Sequence, residues 1–307
     1  MSGPKLTTRV GSLTLKNPVI AASGTFGYGL DLVDFCPPER LGAVVTKGLS
    51  PLPRTGNPTP RIVETPAGML NAIGLQNIGV EAFCTDVLPQ LQKRGACVIV
   101  NVFGETEEQY LAVVARLERE EGIAAYELNV SCPNVKKGGM EFGHDPKLLG
   151  GLVKRISAST TRPIWVKLSP NAGNLVKTAE AAVAGGAEAL SLVNTFKALA
   201  IDATKRRPVL ATGFGGLSGP AIKPLALRML WEVHQAFPKV PLVGIGGIMS
   251  GQDVVEFLLA GASAVQVGTA TFRNPKACLA ILEELAVFCH QQGVKEIREL
   301  VGALRFI

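Results

Sequence analysis

The sequence predicts an α/β fold, a (β/α)8 TIM barrel that forms a single domain over residues 1–307. Short, almost continuously apolar runs alternate with amphipathic helical stretches, which is typical of parallel strands buried on both faces. Residues 184–190 and 260–265 share one pattern, in which a helix ends near a glycine and a strand follows. Eight such units with right-handed crossovers close most naturally into a barrel, and a doubly wound open sheet is the alternative.

The elements follow in order from this alternation. An N-terminal hairpin is predicted first, because β-prone segments 8–10 and 13–15 flank Gly11 and Ser12, and it would cap the barrel floor. The eight barrel strands are predicted at residues 19–22, 44–47, 98–102, 126–130, 164–167, 190–193, 242–245 and 264–267. Helices are predicted at residues 107–119, 146–157, 175–184, 222–235, 251–259 and 275–291.

One connection is too long to be a simple crossover. Residues 50–75 are rich in proline and glycine and show little helical period. A connection of this length inside a compact domain is usually functional. We therefore expect this insertion to form part of the wall of the active site.

The charge of the chain excludes few functions. The net charge is +6 and the pI is about 9.0, but the basic residues are scattered and form no stripe for nucleic acid. We expect a solvated surface with a modest positive field, which would suit a small anionic substrate.

The cysteines and the N-terminus indicate a cytoplasmic protein without metal sites of its own. Six cysteines are present and no two form a Cys-x-x-Cys pair, so neither disulfides nor a zinc or iron–sulfur site is expected in this chain. The sequence shows no secretory signal and no apolar stretch of the roughly 18 residues that a membrane helix needs.

Polar residues and glycines follow the predicted strands at their carboxyl ends, where a barrel enzyme has its active site. A buried lysine needs an anion nearby, which is either a structural carboxylate or a bound anionic ligand or reduced cofactor. The two glycine pairs after the last two strands either bind a phosphate or only make tight turns. The residues at the strand ends are Ser23, Lys47, Asn101, Asn129, Lys167, Asn194, Gly246, Gly247, Gly268 and Thr269.

Cys132 differs from the other cysteines in its position. It follows the fourth predicted strand in the stretch 129–134, Asn-Val-Ser-Cys-Pro-Asn, and a glycine-containing loop comes next. From the residues alone it is a nucleophile, a base or an inert thiol. The stretch 213–218, Gly-Phe-Gly-Gly-Leu-Ser, lacks the third glycine of a dinucleotide fingerprint, so no NAD-binding module is predicted.

Several long motifs resemble the class 1 dihydroorotate dehydrogenases. They are the stretch 129–134, Lys47-Gly48, Asn-Ala-Ile-Gly-Leu at 71–75 and Gly-Leu-Ser-Gly-Pro-Ala-Ile-Lys-Pro at 216–224. The stretches 57–61, Asn-Pro-Thr-Pro-Arg, and 64–71, Glu-Thr-Pro-Ala-Gly-Met-Leu-Asn, resemble the NAD-dependent class 1B type in particular. The resemblance covers essentially the whole chain.

This resemblance implies a barrel that binds FMN and oxidises (S)-dihydroorotate to orotate in de novo pyrimidine biosynthesis, with Cys132 as the base. It implies FMN contacts at Ser23, Lys47, Gly48, Asn101, Asn129, Lys167, Val193, Gly219, Gly246, Gly247, Gly268 and Thr269. It implies substrate contacts at Lys47, Asn71, Ala72, Ile73, Gly74, Leu75, Asn129, Asn194 and Thr195. It also implies a partner subunit with FAD and a [2Fe–2S] cluster, which passes electrons to NAD, in a heterotetramer built on a homodimer of this chain.

Three other interpretations are open. The chain could be a class 1A enzyme, a homodimer that reduces fumarate. It could be a flavin-free barrel aldolase or synthase with Lys167 as a Schiff base, although this leaves Cys132 and the asparagines unexplained. It could also be a barrel that serves only as a scaffold, which the polar strand ends disfavour.

Overall fold

The computed structural model describes residues 3–130 and 142–306 and contains a closed barrel of eight parallel strands. Around the barrel the strands follow one another in chain order, as crossovers of one hand require. The predicted (β/α)8 fold is confirmed, with strand ends shifted by up to three residues. The strands are β1 Val19–Ala21, β2 Ala43–Val45, β3 Val98–Val102, β4 Ile123–Asn129, β5 Ile164–Lys167, β6 Ala189–Leu192, β7 Leu242–Ile245 and β8 Ala262–Val267.

Helices surround the barrel, and several of the longer ones begin at a polar capping side chain. Thr106, Asp145 and Asn174 each accept a hydrogen bond from a backbone N–H of the first turn. Within residues 3–130 and 142–306, none of the helices has the length and apolar character needed to cross a membrane. The α-helices are Gly79–Ala82, Leu88–Lys93, Glu107–Leu117, Pro146–Ser157, Leu175–Ala184, Lys223–Ala236, Gly251–Leu259, Ala270–Arg273 and Ala277–Gln291; a π-helix spans Phe83–Val87, and 3-10 turns span Pro38–Arg40, Pro220–Ile222 and Ile297–Leu300.

The helical segment from residue 79 to residue 93 is absent from the sequence prediction. It consists of two α-helical turns joined through the π-helix Phe83–Val87. Pro89 lies near the start of the second turn and cannot donate a backbone hydrogen bond. A π-helix also shifts the hydrophobic period, so the regular 3.6-residue pattern is broken twice in a short segment.

The inside of the barrel is built in layers. Side chains alternate along each strand, so one set faces the surrounding helices and the other faces the barrel axis. Ile99, Ala125 and Trp165 belong to a separate buried cluster inside the barrel, and this cluster forms the barrel floor. The predicted hairpin, Thr8–Val10 paired with Leu13–Leu15, adds Val10 and Leu15 to it and so closes the floor as expected.

A buried polar layer lies above this apolar floor. Each of its residues is two positions beyond a floor residue on the same strand, so it also faces the barrel axis. Barrel interiors are usually filled with branched apolar side chains, so a polar layer is unusual. The layer consists of Asn101 on β3, Glu127 on β4, Lys167 on β5, Ser191 on β6 and Gln266 on β8.

The insertion after β2 forms a sheet with a second excursion after β6. Ile62–Thr65 and Gly68–Asn71 pair with each other, and Phe214–Ser218 joins Gly68–Asn71 to Phe196–Leu199 in one antiparallel sheet of four strands. A small ribbon, Ile201–Asp202 with Arg207–Pro208, extends the second excursion. The prediction that the insertion forms a wall of the site is confirmed, but its pairing partner was not predicted.

Candidate active site

A cavity of about 760 Å³ lies at the carboxyl ends of the strands, between the barrel and the four-stranded sheet. This volume is within the range of roughly 300–1,000 Å³ that small-molecule and cofactor sites occupy. Nearly all the predicted site residues within the described part of the chain line it. They are Ser23, Lys47, Gly48, Asn71, Ala72, Ile73, Gly74, Leu75, Asn129, Lys167, Val193, Asn194, Thr195, Gly219, Gly246, Gly247, Gly268 and Thr269.

The glycines after β7, together with Gly219 after the strand Phe214–Ser218, form one end of this cavity and have backbone conformations that favour glycine. Gly247 has a φ of 76°, and a Cβ at this position would lie 2.7 Å from Cβ of Lys223. Gly219 has a φ of 94°, and its Cβ would lie 2.7 Å from Cα of Gly68. Among the described residues, none accepts a hydrogen bond from the backbone N–H of Gly246 or Gly247. Free amides in a close-packed glycine turn are suited to a phosphate group.

Lys223 is close to these glycines, but its charge is already neutralised. Its ammonium lies 2.6 Å from Asp253 and 2.8 Å from Glu256. Although partial burial acts in the opposite direction, hydrogen bonds to these two carboxylates raise the pKa of Lys223. An anion bound at the glycines would therefore depend mainly on backbone amides rather than on this lysine.

The opposite end of the cavity carries two positive charges, those of Lys47 and Arg61. Burial, and then the nearby positive charge of Arg61, lower the pKa of Lys47, and the negative charge of Asp31 only partly opposes them. The Arg61 guanidinium donates to the backbone oxygens of Thr55 and Asn57 and to the Gln76 side-chain amide, none of which carries a charge. This end of the cavity is therefore suited to a carboxylate ligand.

The predicted substrate-binding segment 71–75 is held in an uncommon backbone conformation. Leu75 has a φ of 58°, in the left-handed region that favours glycine, and it follows Gly74 with a φ of 75°. Buried Asn77 holds this segment from below. Its amide nitrogen donates to the Leu75 oxygen at 2.9 Å and to Ser50 Oγ at 2.8 Å, and its oxygen accepts from the N–H groups of Gly79 at 2.9 Å and Ser50 at 3.3 Å. Sequence reasoning missed Asn77; an asparagine just before a helix start is the signal that could have indicated a capping role.

The floor of the cavity joins the buried polar layer through Lys167. Its ammonium lies 4.0 Å from Glu127 Oε1, and its side chain lines the cavity with only 8% exposed. Both interpretations of this lysine therefore apply, because it has a structural carboxylate partner and also faces the ligand space. Glu127, Ser191 and Gln266 were not predicted; single polar residues at alternating positions of apolar strands are the signal that could have identified them.

Asn101 differs from the other predicted cofactor residues. It is fully buried behind Gly48 and does not line the cavity. Its side-chain nitrogen donates to Glu127 Oε1 at 2.8 Å, and its side-chain oxygen has no hydrogen-bond partner among the described residues. The structure therefore places Asn101 in the support of the cavity floor, and its direct contact with a cofactor stays a prediction.

Two asparagines that line the cavity contact each other. The Asn194 side chain donates to the side-chain oxygen of Asn129, with 3.4 Å between the nitrogen and the oxygen. A third, Asn71, reaches across from the insertion and donates to the Gly216 oxygen at 3.4 Å. Amide groups supply both donors and acceptors, so this trio suits a flat ligand with carbonyl and N–H groups along its edge.

Cys132 lies outside the described residues, so its predicted role as a base is not tested by the structure. The five described cysteines are free, and four of them are fully or almost fully buried. Burial raises the pKa of Cys84 and of Cys97 to about 11, so these thiols stay protonated at neutral pH. No cluster of potential metal ligands occurs within residues 3–130 and 142–306.

Together, the closed barrel, the glycine turn and the lysine in the cavity floor define a (β/α)8 barrel protein whose cavity is suited to a phosphate group and to a small polar ligand. The family model described as "Dihydroorotate dehydrogenase" matches residues 5–288. The chain belongs to the dihydroorotate dehydrogenase family.

Individual relatives agree over the full length. The chain is 53% identical to "Dihydroorotate dehydrogenase B (NAD(+)), catalytic subunit" of Geotalea uraniireducens (strain Rf4), over 99% of both chains. It is 53% identical to a protein of the same name from Pelobacter propionicus, over 98% of this chain and 99% of that one. Among solved structures, a DHODH from Eimeria tenella in complex with ferulenol matches with a TM-score of 0.80 at 22% identity, over 98% of this chain and 88% of that one. This last match supports the fold alone.

Proposed function

We propose that this chain is the catalytic subunit of an NAD-linked dihydroorotate dehydrogenase and oxidises (S)-dihydroorotate to orotate in pyrimidine nucleotide biosynthesis. The observation that carries the proposal is the shared cavity, where the glycine turn, the floor lysine and the three asparagines meet. The names of its full-length relatives support the same activity.

FMN fits the residues that line this cavity. The amides around Gly246, Gly247 and Thr269 would hold the phosphate, and no described residue accepts from the first two. Ser23, Gly48, Lys167 and Val193 line the deeper part, where the flavin ring would lie. When bound, FMN would supply the acceptor for the hydride that leaves C6 of dihydroorotate.

The side chains of this protein would bind and orient the substrate. Lys47, with Arg61 nearby, supplies positive charge for the orotate carboxylate. Asn71, Asn129 and Asn194 would pair with the ring carbonyl and N–H groups, which an apolar pocket could not distinguish. Lys167 supplies positive charge in the floor, which favours negative charge on a reduced cofactor.

The thiolate of Cys132 would act as the base that removes the C5 proton of dihydroorotate. A free thiol has a pKa of about 8.5, so the rate of flavin reduction by dihydroorotate is expected to rise with pH up to about 9. Cys132→Ala is expected to slow this rate by about 10²-fold or more, because general-base catalysis contributes 10²–10⁴-fold, and to change orotate affinity little. Cys97→Ala is the matched control, since this thiol stays protonated and packs against the barrel floor, away from the cavity. Equal reduction rates in Cys132→Ala and the wild type between about pH 6 and 9 would exclude the assignment.

The electrons would leave through a second subunit that carries FAD and a [2Fe–2S] cluster, in a cytoplasmic heterotetramer built on a homodimer of this chain. The name "catalytic subunit" of the relatives supports a partner of some kind. The test is NAD reduction by dihydroorotate with the isolated chain and with the complex purified from the native host. Turnover with fumarate by the isolated chain would favour the class 1A alternative. A colourless protein that borohydride inactivates in the presence of substrate would favour the Schiff-base alternative.

A further inference from the structure

Glu127 is a fully buried carboxylate that the proposed reaction does not use. It lies on β4 below the cavity floor with no exposed surface. Its Oε1 accepts from Asn101 at 2.8 Å, and its Oε2 accepts from Ser191 Oγ at 2.7 Å and from the Gln266 amide. Three neutral donors from three strands therefore hold the carboxylate in one orientation.

A carboxylate in this position is not explained by stability. Burying a charge costs several kcal/mol even when it is paired, and well-packed apolar residues are often as stable or more so. The layer directly below is apolar, so the barrel can be closed without polar groups. The polar layer begins only where the strands approach the cavity.

The distance between the Glu127 carboxylate and the Lys167 ammonium allows electrostatic attraction without a hydrogen bond. The Lys167 ammonium is 4.0 Å from Glu127 Oε1, close enough for strong attraction in a buried site but too far for a direct hydrogen bond. Because the three neutral donors already bind Glu127, its orientation does not depend on Lys167. The ammonium is thus drawn toward the floor while its side chain still lines the cavity.

We propose that Glu127 is a positioning residue that holds the Lys167 ammonium toward the floor and so sets how strongly the cavity favours the reduced form of the bound cofactor. The inference rests on the proposed function, since it assumes bound FMN. Without the carboxylate, the ammonium would no longer be drawn toward the floor and would approach the bound cofactor more closely. Loss of the Glu127 charge would then make the bound FMN easier to reduce.

The test is the variant Glu127→Gln, which removes the charge and keeps the size of the side chain. In the full chain loaded with FMN, we expect the midpoint potential to rise and the affinity for sulfite, which adds a negative charge to oxidised flavins, to increase about tenfold. A tenfold change in the equilibrium between oxidised and reduced forms corresponds to about 30 mV for a two-electron couple. Ser191→Ala is the matched control, because it removes one donor to Glu127 and leaves the carboxylate charged.

A role through Lys167 predicts that the two substitutions are not additive. In a Lys167→Met background, adding Glu127→Gln is expected to change the potential by less than a third of its effect in the wild type. An unchanged or lower potential in Glu127→Gln, or an equal shift in both backgrounds, would overturn the inference. If Glu127→Gln does not fold, Glu127→Asp is used instead, because its shorter side chain keeps the negative charge but moves it away from Lys167. A smaller rise in the midpoint potential is then expected.

A measurement without flavin separates this inference from the proposed function. The Glu127 carboxylate attracts the Lys167 ammonium toward the floor and so away from a reagent that enters through the cavity. In flavin-free full chain at fixed pH, Lys167 is therefore expected to react several-fold faster with acetic anhydride after Glu127→Gln, as followed by mass spectrometry. An unchanged labelling rate contradicts the pairing. A wild-type chain that binds no FMN contradicts the proposed function and leaves the labelling result to decide the pairing.

Discussion

Asn77 is expected to determine both the stability of the insertion and the affinity for substrate. Its side chain is hydrogen-bonded to four groups, which are Ser50 Oγ, the Leu75 oxygen and the N–H groups of Ser50 and Gly79. Each such bond contributes about 0.5–1.5 kcal/mol net, so Asn77→Ala should lower the free energy of unfolding by about 2–6 kcal/mol. This is a large part of the roughly 5–15 kcal/mol that stabilises a folded domain.

The same substitution should weaken orotate binding. A left-handed conformation at a residue such as Leu75, whose φ is 58°, costs about 1–2 kcal/mol, and the Asn77 amide helps to hold it. If that conformation must be restored on binding, orotate affinity should fall about 5–30-fold. Urea unfolding measures the loss of stability, and the slope of the unfolding free energy against urea concentration should be the same in the variant and in the wild type. Orotate titration of the folded protein measures the affinity.

A control variant distinguishes a local effect from general damage. Asn174→Ala removes one hydrogen bond, to the Lys177 N–H at a helix start, and should cost about 1 kcal/mol without changing orotate affinity. The reasoning is refuted if Asn77→Ala destabilises the protein no more than Asn174→Ala and binds orotate as tightly as the wild type.

Two further predictions concern the two ends of the cavity. Gly247→Ala should reduce FMN affinity at least tenfold, because its φ of 76° and the Lys223 N–H at 2.9 Å from the new Cβ both force the turn to move. Gly95→Ala, with a φ of 68° and open space around it, is the control for conformational cost alone, and equal FMN affinity in both variants would contradict the prediction. Burial and then Arg61 lower the pKa of Lys47 from its ordinary value of 10.5, so this lysine is protonated at neutral pH and loses its charge as the pH rises toward 10.5. Orotate affinity should therefore fall as the pH rises through this range. Lys47→Arg should bind orotate with an affinity that changes less between pH 8 and about pH 10, and identical pH profiles would argue against this role.

The barrel could be predicted because its signals are local. Each strand shows a run of apolar residues, and each of the longer helices carries an amphipathic period or a cap such as Thr106. The positions at the strand ends then followed from the geometry common to all parallel barrels. This is why Lys47, Asn129 and the glycines after β7 could be named as site residues before any contact was known.

The four-stranded sheet over the cavity could not be predicted in the same way. Phe214–Ser218 pairs with Gly68–Asn71, and the two segments are about 150 residues apart in the chain. Short strands rich in glycine have weak local preferences, so their pairing depends on the position in which the barrel holds their ends. The helical segment with Pro89 was missed for a related reason, because its local signals conflict.

The sequence by itself determined the barrel, the position of the site and the chemical groups around it, since strand periodicity and strand-end residues depend only on neighbours in the chain. Only the tertiary structure decided what the buried polar residues do. Asn101 proved to support Glu127 beneath the cavity, and Lys167 proved to face both that carboxylate and the ligand space. The physical reason is that a buried charge is governed by its partners in three dimensions, and Glu127 receives its partners from four different strands.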